Sequence, residues 1–189
     1  MNYLDFVVEI GTSPDSFYPV YVISSPAGET RAFMEFPFNE QQLENQLQAL
    51  QHALIRSNFS HRKIISPEEQ TVQKFGHAMF EALFTGEVKN RYDVSQLAAS
   101  HQGKGLRLKL RIKPPELASL PWEFLYDKRQ DTYICLSNNT PIIRYLELSR
   151  PIQPLIMPLP LSILGIIANP KDLPELDIER EKQRIEKSL

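Results

Sequence analysis

Cysteine is almost missing from this chain. One thiol, Cys135, in 189 residues rules out an internal disulfide framework and fits a reducing compartment. Glycine is also scarce, at 7 residues, and Gly103-Lys104-Gly105 lacks the rest of a phosphate-binding loop. No charge of one sign dominates: 21 Lys and Arg against 23 Asp and Glu leave a formal net charge of -2, with no global pull toward nucleic acid or an anionic membrane. Long apolar runs are missing too. The most apolar stretch, 155–168, is interrupted by Pro158 and Pro160 and is shorter than the ~20 residues that span a bilayer. Asp5 and Glu9 fall where a signal peptide would need an uninterrupted apolar core. The histidines His52, His61, His77 and His101 have no zinc-helix spacing. These gaps lead to the expectation of a cytoplasmic protein with no membrane partner, no metal and no cofactor.

What is present is enough apolar residue, 42%, for a packed core. The patterning predicts an α+β module. Tyr3–Ile10, Tyr18–Ile23 and Thr30–Phe36 read as a β meander, split by turn clusters around Gly11-Thr12-Ser13-Pro14 and Ser25-Pro26-Ala27-Gly28. Leu43, Leu47, Leu50, Leu54 and Ile55 then recur at helical spacing behind a candidate N-cap, Asn39. A second helix opens at Ser66-Pro67-Glu68-Glu69 and carries Val72, Phe75, Met79, Phe80, Leu83 and Phe84, stopping near Gly86. A third covers Val88–Ser100. Leu106, Leu108, Leu110 and Ile112 next alternate with Arg107, Lys109, Arg111 and Lys113, the two-residue period of a strand with one apolar and one cationic face. Leu120–Tyr126 is a compact apolar turn or helical segment, and Thr132–Leu136 and Ile142–Leu146 read as two more strands.

Four prolines, Pro151, Pro154, Pro158 and Pro160, mark 151–160 as a semi-rigid linker closing a module over 1–150. Beyond it, Leu161–Ala168 reads as a strand buried on both faces, and Asp177 caps a helix carrying Ile178, Ile185 and Leu189. Together they are expected to form the first βα unit of an α/β domain that 161–189 leaves unfinished.

No catalytic residue is expected. Cys135, in Tyr133-Ile134-Cys135-Leu136, reads as a buried strand thiol without a base. Glu116, Glu123 and Asp127 read as architecture rather than an acid/base group. In Pro121-Trp122-Glu123, Trp122 fills the core and Glu123 caps or pairs with an arginine such as Arg144. The cations Arg107, Lys109, Arg111 and Lys113 form a candidate anion-facing strand, but no aromatic residue is interleaved for stacking bases. The solvated face of a half-buried strand is the favoured reading, and nucleic acid is not the expected partner.

Several strings carry a resemblance: Ser24-Ser25-Pro26-Ala27-Gly28-Glu29, Phe80–Val88, Gly105–Arg111, Glu116–Asp127 with its Pro-Trp-Glu core, Thr140–Glu147, and Ala168-Asn169-Pro170 through Glu181. In this order they resemble the N-terminal region of bacterial CHAT-domain (caspase-like) proteins, running into the first strand and helix of that domain. The resemblance implies a peptidase context whose His–Cys dyad lies downstream, so the expected role of this chain is non-catalytic and regulatory. It would pack on or position a caspase-like domain of the same polypeptide, with other protein partners possible. Two other readings stay open: the leading piece of an active cysteine peptidase, and a freestanding binding module using the 106–113 strand.

Overall fold

A computed structural model describes residues 2–56, 67–145, 164–167, 169 and 177–188, with the side chains of 54–56 and 188 left aside. The chain falls into two units, Met1–Glu147 and Leu148–Leu189. The first is α+β. Its strands are β1 (Tyr3–Ile10), β2 (Phe17–Ser24), β3 (Thr30–Glu35), β4 (Gly105–Ile112) and β7 (Ile142–Arg144), in the order β3-β2-β1-β4-β7. β1 to β3 are antiparallel, whereas β1 pairs with β4, and β4 with β7, in parallel. The expected meander therefore supplies three strands of a five-stranded mixed sheet.

One sheet face is apolar by the two-residue alternation of its strands. Phe6, Val8, Ile10, Val20, Val22, Met34, Leu106, Leu108 and Leu110 are buried on it. Over this face lie α2 (Pro67–Leu83) and α3 (Gly86–His101), and α1 (Glu40–Arg56) packs on α2. The start of α1 is a reciprocal cap: Gln42 N donates to Asn39 Oδ1 at 2.8 Å and Asn39 N to Gln42 Oε1 at 3.0 Å. Between α2 and α3 the chain breaks at Gly86, whose φ of +50° suits glycine. An aromatic cluster joins helices to sheet, with Phe84 and Tyr92 ring centroids 4.3 Å apart and Phe6 and Tyr92 at 5.5 Å.

Behind β4 the chain makes α4 (Pro115–Ala118), a 3-10 turn at Trp122–Phe124, a ribbon of β5 (Tyr126–Asp127) with β6 (Thr132–Tyr133), and a second 3-10 turn at Ile134–Leu136. Of the two strands expected over 132–136 and 142–146, the second is present as β7, whereas in the first only Thr132–Tyr133 extends. Ile134 N donates to Leu125 O at 3.0 Å and Thr140 Oγ1 to Ile134 O at 3.1 Å, so the backbone is satisfied locally and turns. Cys135, on that turn, is exposed and not a buried strand thiol.

In the second unit, α5 (Ile178–Ser188) starts at Asp177, whose Oδ1 accepts from Arg180 N at 3.1 Å. Residues 164–167 are not in a strand, and Leu164 and Ile166 are exposed, against the expectation of a doubly buried strand. An apolar run needs ladder partners on both sides to form such a strand, and this one has none among the described residues. The remainder of that run and the 151–160 linker lie outside the described residues.

Gly76 in mid-α2 faces the Trp122 turn: a Cβ there would sit 1.8 Å from Phe124 O and 2.9 Å from Phe124 C. On helix propensity alone Gly76→Ala would stabilise by about 1 kcal/mol. The clash is with backbone, so we expect a net loss of about 2–4 kcal/mol in urea unfolding. A stabilised variant would contradict this packing.

Candidate interaction surface

The other face of the sheet carries no helix among the described residues. It holds Asp5, Val7 and Glu9 from β1, Phe17, Pro19, Tyr21 and Ile23 from β2, Arg31, Phe33 and Glu35 from β3, and the cations of β4. In the parallel register Asp5 lies beside Arg107 and Glu9 beside Arg111. Each carboxylate also reaches the next cation along. Asp5 is 2.6 Å from Arg107 Nε and 2.6 Å from Lys109 Nζ; Glu9 is 3.1 Å from Arg111 Nε and 2.7 Å from Lys113 Nζ. All four residues of the candidate anion-facing strand are thus engaged by carboxylates of the neighbouring strand. Four cations against two carboxylates leave this stripe at +2. Glu9 is buried, and a buried carboxylate needs such pairing.

The Asp5 carboxyl feels opposed influences. Partial burial raises its pKa, while hydrogen bonds from Lys109 and Arg107 and the charges of both outweigh that and hold it below its ordinary value of 3.8.

Toward β3 the same face turns apolar and aromatic. Phe17 and Phe33 are 54% and 55% exposed, and Ile23, with Ile143 on β7, is also exposed. The Arg31 guanidinium lies 5.5 Å from the Tyr21 ring centroid and 5.3 Å from that of Phe33.

The Pro121-Trp122-Glu123 segment sits on the helix side of the sheet. Trp122 is fully buried, and its Nε1 donates to Leu117 O at 2.7 Å. Glu123 and Arg144 meet, with Nε 3.1 Å from Oε1. The same guanidinium donates to Ala118 O at 2.9 Å and Leu120 O at 3.0 Å. Arg144 therefore fastens β7 to the α4–Trp122 segment, and the carbonyls are the part that residue spacing did not reveal.

Nothing in these groups is arranged for bond-breaking. The Cys135 thiol is pushed above its ordinary pKa, chiefly by desolvation of the side that faces the protein, the opposite of an activated nucleophile. Asp127 is buried and taken up by Arg129, with its Oδ2 3.0 Å from Nη2, while Glu116 accepts from the Tyr18 hydroxyl at 3.4 Å. Among the described residues no group of three His, Cys, Asp or Glu could hold a metal ion, and no helix is long and apolar enough to cross a membrane. His61 lies outside the described residues.

Two outcomes check this geometry. Because the folded pKa of Asp5 is depressed, its stabilisation is fully present above the unfolded value and is lost as pH falls through the folded one. The stability gap between wild type and Asp5→Asn should therefore close below about pH 4; a gap that stays constant in urea midpoints from about pH 7 to about pH 3 would contradict the pairing. Glu123→Gln, at a half-exposed pair, should cost under about 1 kcal/mol. Arg144→Ala, which also strips two carbonyls, should cost about 1–3 kcal/mol. Equal losses in thermal unfolding would mean that the carbonyl contacts contribute nothing.

Comparison of the chain with protein-family models, with curated proteins and with solved structures gave no match.

Proposed function

We propose that residues 1–147 are a non-catalytic docking module that packs its helix-free sheet face against another protein domain. The supporting observation is the one-sided sheet: α2 and α3 cover one face, while the other exposes Phe17, Phe33, Ile23 and Ile143 beside a stripe of cations already held by Asp5 and Glu9. Exposed apolar side chains gathered on one face, here Phe17 and Phe33 toward β3 with Ile143 at the far edge, mark interaction surfaces. Internal pairing of the cations weighs against an anion or nucleic-acid site, which needs free charge.

The CHAT resemblance of the sequence points to a caspase-like peptidase domain of the same polypeptide as the docked domain, positioned or regulated by this module. A lone, exposed, free thiol suits a cytoplasmic home for such a protein.

The check is oxidative surface labelling of Phe17, Phe33 and Ile143 in residues 1–189 and in the full native product. Severalfold protection of the three side chains in the longer protein is expected. Equal labelling, with any downstream segment folded, removes the docking reading. A native product without a downstream His and Cys removes the caspase-like partner.

A further inference from the structure

β3 is an edge strand: it pairs with β2 on one side and with no strand on the other. Phe36 N donates to Ser16 O at 2.9 Å, which fixes the hydrogen-bonding phase of the β2–β3 ladder. In that phase the Tyr18–Met34, Val20–Ala32 and Val22–Thr30 pairs exchange bonds with each other. Arg31, Phe33 and Glu35 therefore turn their N–H and C=O groups outward, and among the described residues nothing bonds them there. Their side chains all lie on the helix-free face and are all exposed.

We infer that β3 is a homodimerisation edge, which pairs antiparallel with β3 of a second copy about a two-fold axis through Phe33. Two-fold pairing must set outward residues opposite outward residues, because only these have free backbone groups. Centring on Ala32 or Met34 would put a charge against Phe33 and leave one outward residue unused. Centring on Phe33 uses all three. It sets Phe33 against Phe33 of the second copy, and Arg31 against Glu35 of the second copy on each side of the axis. Aromatic pairs and opposite charges directly across a ladder are both favourable. Native edge strands are usually guarded by charged side chains, proline, bulges or a cover. β3 has no proline, and its two charges differ in sign and sit at equal distances either side of Phe33, so they select for a copy of the same chain. Pro37 ends the pairing beyond Glu35, since proline has no N–H to donate. The result joins two five-stranded sheets into one continuous sheet and leaves the helix-free face of each copy open.

The test is sedimentation equilibrium of residues 1–189 from about 1 µM to about 1 mM, the range suited to a short-ladder interface. A monomer–dimer equilibrium is expected. Arg31→Glu puts carboxylates against Glu35 and should weaken the dimer on the order of tenfold or more. The double variant Arg31→Glu/Glu35→Arg restores opposite charges and should restore the dimer, whereas Phe33→Pro should abolish it, with far-UV circular dichroism and thermal midpoint verifying the fold of each. Lys128→Glu, at an exposed position between β5 and β6 and outside the edge strand, should leave the association constant unchanged. A monomer throughout, a dimer indifferent to Arg31→Glu, or a charge swap that fails to rescue overturns the inference. The docking proposal is separated from these outcomes by the labelling of Phe17 and Ile143, which lie outside the β3 pairing, because Phe33 would be protected by dimerisation as well.

Discussion

The first unit hangs on the parallel pairing of β1 with β4. These strands are separated by the whole of β2, β3 and three helices, yet they sit side by side at the middle of the sheet. Two devices hold their register. Charges at a two-residue period on β4, matched to carboxylates four residues apart on β1, exclude any slip by an odd number, because such a slip would drive the cations into the apolar core. A slip by two would still offer cations to Asp5, so charge alone is not enough. Gly105 removes that freedom: the Tyr3 ring lies where a Cβ at 105 would be, 2.6 Å away, and Tyr3 Oη donates to Asn138 O at 2.9 Å. Moved by two, Tyr3 would face Arg107.

From this pairing the rest follows in layers. With β1 and β4 adjacent, their apolar residues form the floor on which Phe80, Phe84 and Tyr92 pack. β7 then adds beside β4, and Arg144 ties it back to the carbonyls of Ala118 and Leu120. The opposite face inherits what alternation leaves over: paired charges in the centre, aromatic rings toward β3. The face proposed for docking is thus a by-product of the core pattern, and its central charges cannot be changed without loosening the β1–β4 seam.

Much of this was legible from residue pattern, and the limits have physical causes. Alternation over 106–113 marks a strand with a cationic face, but the reading of that face as solvated did not foresee that Asp5 and Glu9 engage its cations. Alternation does not name partner strands. Even so, Asp5 and Glu9 on β1 have the same four-residue spacing as Arg107 and Arg111, a clue that could have linked them. The 132–136 segment failed as a strand because β-branched and aromatic residues mark β propensity only where a ladder is available. Here Thr140 and Leu125 satisfy the backbone first, which also brings Cys135 to the surface. The Glu123–Arg144 contact was readable as charge matching; the two carbonyls were not, since backbone acceptors leave no trace in a sequence.

The central place of β1 also shapes how the chain is made. β1 leaves the ribosome with its antiparallel neighbour β2, and β3 beyond it, close behind, but its other neighbour, β4, is about a hundred residues away in sequence. At roughly 5–20 residues per second of synthesis, the nascent β1–β2–β3 ribbon waits on the order of 5–20 s with a bare edge and an uncovered apolar face. During that interval Asp5 and Glu9, four residues apart, put unpaired charge on one face of the bare strand, and the same ions later lock its register.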